Sequence, residues 1–168
     1  VNAGYIPPEH WVHDPDVGGG RIIGEACHFI DLSRFIIGAS ICDTHVTFTG
    51  NHKKLSQNGD QASIILKFTD GSVATILYLS SGHKAYPKET IDVFVSGKIL
   101  TLNNFRSLKG YGWNTFRKQK LLKQNKGQFE CASAFVSAIK KQTKPPICKQ
   151  EIFEVTRHTI EIAERLNA

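Results

Sequence analysis

Apolar positions along this chain switch between two periods, and the switches mark its elements. From about Glu25 to Ile37, Phe29, Leu32, Phe35 and Ile36 fall on one helical stripe, and Gly38 follows as a stop. Strand-like alternation then takes over. The run "ICDTHVTFTG" is the first strand candidate after the helix. "ASIILKFTDGSVATILYLSS" reads as a hairpin, because two β-branched runs flank Asp70-Gly71, a pair favoured in a tight primed turn. "TIDVFVSGKILTLNN" repeats the pattern around Gly97, with Ile91, Val93 and Val95 on one face. The following "FRSLKGYGWNTFRKQKLLKQ" is less regular. Helical spacing returns at Phe129, Ala132, Phe135, Val136 and Ile139, and Pro145-Pro146 breaks it. A last amphipathic helix runs through Ile152, Val155, Thr159, Ile162 and Leu166. Residues 1–6 also read as strand-like.

Helix, hairpin-linked strands, then two helices predict an α+β fold: an open, mostly antiparallel sheet with helices packed on one face. The length of 168 residues suits one domain, 1–168. The chain begins with valine and contains no methionine, which fits a domain of a longer protein. No apolar run approaches the ~20 residues of a membrane span. Cys27, Cys42, Cys131 and Cys148 form no C-x-x-C pair and read as reduced thiols, so a cytoplasmic location is expected.

The chemistry concentrates in "GGGRIIGEACHFIDLSRFIIG", Gly18 to Gly38. Phosphate cradling by Gly18, Gly20 and Gly24 would need a buried strand in front, and "HWVHDPDV" is none. His10, His13, Asp14, Glu25, Cys27 and His28 are of ligand type but lack any zinc-site spacing, so no metal is expected. Acid–base work is the third reading. Glu25, His28 and Asp31 lie three apart and share a helix side, and an imidazole titrates near neutrality. Spacing alone leaves another reading open: the carboxylates favour the helix start and His28 is an interior histidine.

These residues resemble the signature GGG-x-x-x-D-x-G-x-H-x-x-D of the C-terminal domain in the Gfo/Idh/MocA oxidoreductases, the glucose–fructose oxidoreductase and inositol dehydrogenase family. Gly18, Gly19, Gly20, His28 and Asp31 match it; the usual aspartate falls at Gly24 and the second glycine at Ala26. "NAGYIPPEHW", the central hairpin and the last two helices are similar to the family as well.

The resemblance implies the substrate-side domain of an NAD(P)-dependent oxidoreductase acting on a sugar, sugar acid or nucleotide sugar. NAD or NADP would be bound mainly by an N-terminal Rossmann domain absent from this chain, so the fragment alone would be inactive. His28, Asp31 and Glu25 become the catalytic candidates. Tyr5, His10, Trp11 and His13 become substrate-binding candidates, and Gly18, Gly19, Gly20 and Arg21 a cofactor-proximal loop. The sheet would mediate homo-oligomers. The alternative is a non-catalytic sugar-binding or assembly module.

Charge adds one feature. The formal net charge is +6, and eight basic residues from Lys98 to Lys126 lie in a stretch without any acid between Asp92 and Glu130. Phe105, Tyr111, Trp113 and Phe116 interleave them. A solvated edge that packs on a neighbouring subunit is the expected reading, ahead of an anionic substrate; nucleic acid is the least favoured partner.

Overall fold

The computed structural model of the protein describes residues 1–14, 16–49 and 61–167. Gly50, the last residue of the first strand candidate, lies outside the described residues. The chain divides into two compact units, one of Ala3–Gly82 and Ile147–Ala168, the other of Val1–Asn2 and His83–Pro146. The elements are α-helical and antiparallel, as the α+β reading expects.

In the first unit, β1 (Ile41–Phe48), β2 (Ala62–Phe68) and β3 (Val73–Tyr78) form an antiparallel sheet in that order. Side chains alternate across a strand, and here the alternation decides the core. Ala62, Ile64, Leu66 and Phe68 of β2, with Thr44 of β1 and Ile76 and Tyr78 of β3, are buried on one face. Helices α1 (Cys27–Ile37) and α3 (Lys149–Asn167) pack on that sheet and on each other. They contribute Ile30 from α1 and Val155, Ile162 and Ala163 from α3.

α1 is preceded by a π-helical turn, Ile22–Ala26. Ile22, Ala26, Ile30 and Arg34 recur every fourth residue, and all are buried. On an α-helix of 3.6 residues per turn, a four-residue step overshoots by about 40°. The wider π turn takes up part of that drift and keeps the row facing the sheet. Gly38, at φ +78°, ends α1 by donating its N–H to the Arg34 carbonyl. Arg34 then bonds Glu154 at 3.1 Å, and Glu154 also accepts the Ile41 N–H at 2.5 Å. One carboxylate of α3 thereby ties α1 to the start of β1. Further along, Arg165 bonds the Thr44 carbonyl and hydroxyl.

In the second unit, β4 (Thr90–Val95), β5 (Lys98–Asn103), β6 (Ser107–Tyr111) and β7 (Lys118–Lys120) form an antiparallel sheet in sequence order. Ile91, Val93, Leu100, Leu102 and Leu108 share one face by register. Trp113 donates to the Ile99 carbonyl at 3.1 Å. Gly110 is required under this aromatic cover, since a Cβ there would meet the Phe116 ring at 2.7 Å. α2 (Gln128–Lys141) completes the unit.

Three local expectations are corrected. Residues 1–6 are not a continuous strand; after a single bridge at Asn2, with the Asn2 and Ala3 N–H groups donating to the Lys88 and Leu79 carbonyls, Gly4 at φ +76° turns the chain. The primed turn is not at Asp70-Gly71, where only Gly71 has positive φ and Asp70 caps the loop by accepting from Ser72. It is at Ser96-Gly97, where both residues have positive φ. Strands β6 and β7 were not anticipated, because their lysine-rich sequence hides the alternation.

The two kinds of ion pair make a testable contrast. Arg34→Ala removes a buried guanidinium and leaves the half-buried Glu154 without its cation, and is expected to cost about 3 kcal/mol in urea unfolding. Lys67→Ala breaks only the solvent-exposed pair with Asp43, and its unfolding midpoint is expected to match the parent.

Candidate active site

The site is built around a guanidinium. Arg21 is 1% exposed, an unusual place for a charge unless it is paired. Its Nη1 donates to the Gly4 carbonyl at 2.7 Å; its Nη2 donates to the Ala3 carbonyl and to Glu25 Oε2, both at 3.1 Å. The same Glu25 oxygen accepts the Tyr78 hydroxyl at 2.5 Å. Tyr78 is 0% exposed, and the Arg21 guanidinium lies 5.3 Å from its ring centroid. The entering segment, the π turn and strand β3 therefore meet in one charged, hydrogen-bonded cluster.

Electrostatics follow from this geometry. Burial, then the hydrogen bond to and charge of Glu25, push the Tyr78 hydroxyl well above the ordinary tyrosine range. Tyr78 is thus a permanent donor to the carboxylate. Burial, with the nearby Asp31 and Glu25 charges, also raises the Cys27 thiol, which keeps it protonated.

The glycines are spent on the backbone. Gly18 and Gly19 donate their N–H groups to the Asp14 carbonyl, and Gly20 to the Val12 carbonyl. A Cβ at Gly18 would lie 2.5 Å from the Val12 Cα, so only glycine permits this approach. The loop accordingly braces the 3-10 turn Trp11–His13. With these amides occupied, the residues present do not fit the phosphates of a dinucleotide.

The predicted site residues separate into two groups. His28 and Asp31 are exposed on the first turns of α1, and neither side chain makes a hydrogen bond or ion pair among the described residues. The interior-histidine alternative for His28 is therefore not what the fold shows. Tyr5 is 73% exposed and Trp11 61% exposed, and His10 is exposed with its ring 5.5 Å from that of Trp11. By contrast, His13 is buried at 3% exposure, Arg21 is turned inward, and Glu25 is held by Arg21 and Tyr78. At Gly24, where the signature carries its aspartate, a Cβ would meet only Val12 Cγ2 at 3.8 Å, so packing leaves room for a side chain. Sequence reading missed Tyr78. Its signal was available: it follows Ala74 and Ile76 in alternation on the buried face of β3. The Arg21–Glu25 pair was legible too, at an i, i+4 spacing.

Residues 2–101 match the family pattern described as the GFO/IDH/MocA C-terminal domain. The chain belongs to the Gfo/Idh/MocA family. No curated protein matches it in sequence. Solved structures agree on the fold. An aldose-aldose oxidoreductase from Caulobacter crescentus is 13% identical with a TM-score of 0.74; the match covers 98% of this chain and 50% of that one. A UDP-N-acetylglucosamine 3-dehydrogenase from Acidithiobacillus ferrooxidans is 14% identical with a TM-score of 0.69, covering 85% and 46%. A dehydrogenase from Clostridium difficile is 18% identical with a TM-score of 0.69, covering 98% and 51%. This chain of the Gfo/Idh/MocA family thus spans about half the length of these oxidoreductases. Among its described residues, no helix is long and apolar enough to cross a membrane.

Proposed function

We propose that this chain is the substrate-side domain of an NAD(P)-dependent oxidoreductase for a sugar, sugar acid or nucleotide sugar, with His28 as its acid–base group. The carrying observation is that the His28 imidazole stands open to solvent at the start of α1, in the family's own motif, while its acidic neighbour Glu25 is anchored inward. The carbohydrate class is supported by the names of two structural neighbours, an aldose-aldose oxidoreductase and a UDP-N-acetylglucosamine 3-dehydrogenase.

In this reading the chain handles a proton and not the hydride. The His28 imidazole takes the hydroxyl proton as a carbinol is oxidised, or returns it on reduction. Asp31 stands exposed one turn further along α1. Exposed Trp11 and Tyr5 offer faces for a sugar ring, and His10 a polar edge; buried His13 supports the loop that carries them. The dinucleotide would be held mainly by a nucleotide-binding domain of the same polypeptide, since the glycine loop's amides are already bonded. Four free cysteines support a reducing compartment such as the cytoplasm.

The outer face of the β1–β3 sheet supports an accompanying role in assembly. Ile65, Val73 and Leu77 are exposed there, beside the cross-strand Lys67–Asp43 pair. A homo-oligomer through this face would cover them.

Two measurements test the reading. His28→Ala, placed in the polypeptide that includes its nucleotide-binding part, is expected to lower turnover at least ~100-fold with UDP-N-acetylglucosamine or aldose probes and NAD+ or NADP+. Retained turnover with an active probe would remove His28 from the chemistry. Leu77→Lys is expected to shift the sedimentation of the same polypeptide toward monomer, and an unchanged profile would place assembly elsewhere.

A further inference from the structure

We infer that Arg21 and Tyr78 are positioning residues for His28: acting through Glu25, they lock the entering segment at Ala3–Gly4 and strand β3 to the turn that leads into α1. The inference rests on the proposed role of His28, adds Tyr78, and gives Arg21 a part other than the cofactor-proximal one that the resemblance implies.

Three observations carry it. The first is convergence. A single guanidinium reaches two successive carbonyls of the entering segment and a carboxylate four residues along its own helix. The second is sharing. Glu25 Oε2 accepts from both Arg21 and Tyr78, so moving either donor moves the carboxylate, and with it the π turn. The third is the turn itself. Ile22–Ala26 is π-helical and runs directly into Cys27–Ile37, so its geometry sets the azimuth at which His28 leaves α1. A π turn lacks the regular i→i−4 ladder of an α-helix. It needs outside support to hold one arrangement, and the Arg21–Glu25–Tyr78 cluster supplies it. Tyr78 donates in one protonation state, because burial and Glu25 keep its hydroxyl protonated.

Proton transfer depends on placement to a fraction of an ångström, so a loosened turn lowers turnover more than it lowers substrate affinity. Tyr78→Phe is the chosen variant, since it removes one hydroxyl and leaves the buried ring in place. Arg21→Lys keeps the charge but loses the two-nitrogen fork.

The test uses the polypeptide containing the nucleotide-binding part, with UDP-N-acetylglucosamine or aldose probes, and runs His28→Ala in parallel. Tyr78→Phe is expected to lower kcat about 10-fold with KM within about 2-fold. Arg21→Lys is expected to act in the same direction. If His28→Ala abolishes turnover while Tyr78→Phe keeps kcat within about 2-fold of the parent, the positioning role is overturned and the catalytic reading stands. If His28→Ala itself retains turnover, the catalytic reading falls. The clamp is then judged without substrate, from the imidazole carbon–proton NMR signals of His28 in the 168-residue chain. Displacement of those signals by Tyr78→Phe supports the clamp; superimposable signals overturn it.

Discussion

A guanidinium withdrawn from water needs partners nearby, and those of Arg21 organise the chemically interesting end of this domain. Its partners come from three places in the sequence: Ala3 and Gly4 at the entering segment, Glu25 in the π turn, and Tyr78 through the shared carboxylate. An isolated buried charge costs several kcal/mol. The segment, the turn and the strand are thus bound to one arrangement by the penalty for leaving it. His28 stands outside this cluster, and that division of labour is the core of the account. The inward-facing groups hold the frame, and the exposed imidazole is the group that the proposed function assigns to the substrate.

The same logic separates the glycines from the role their pattern suggests. A triple glycine before a helix invites a phosphate-binding reading. Here Gly18 approaches the Val12 backbone so closely that no side chain fits, and the amides of Gly18, Gly19 and Gly20 serve the Asp14 and Val12 carbonyls. Their contribution is steric and local. They seat the turn Trp11–His13, whose N-terminus His10 caps.

Much of this was legible in the sequence, for identifiable reasons. Alternation placed β2 and β3, because one face of each is buried under α1 and α3. The helical stripes placed α1, α2 and α3. The family motif singled out His28 and Asp31, which the fold leaves exposed. What escaped were features that depend on contacts distant in sequence. Tyr78 lies fifty-three residues from Glu25, and nothing local marks its hydroxyl as a donor to a carboxylate. The π turn breaks the period on which helix reading relies. Near the N-terminus, strand-forming residues could not overcome the positive φ at Gly4. In β6 and β7, lysines at Lys109, Lys118 and Lys120 masked an alternation that the ladder nonetheless uses.

The buried Tyr78–Glu25 bond has a thermodynamic signature that needs no knowledge of the substrate. Unfolded, the tyrosine loses its proton near pH 10; folded, it keeps it well above that. Above about pH 10 the unfolded chain therefore binds fewer protons than the native one, and stability must fall as pH rises, by up to about 1.4 kcal/mol per pH unit from this group. The decisive measurement is urea unfolding of the parent and Tyr78→Phe from pH 8 to 11.5. A steeper alkaline loss of stability is expected in the parent, so that the two curves converge at high pH. Parallel curves across the whole range would show that the tyrosine is not held as a buried donor, and the clamp around Arg21 would lose its foundation.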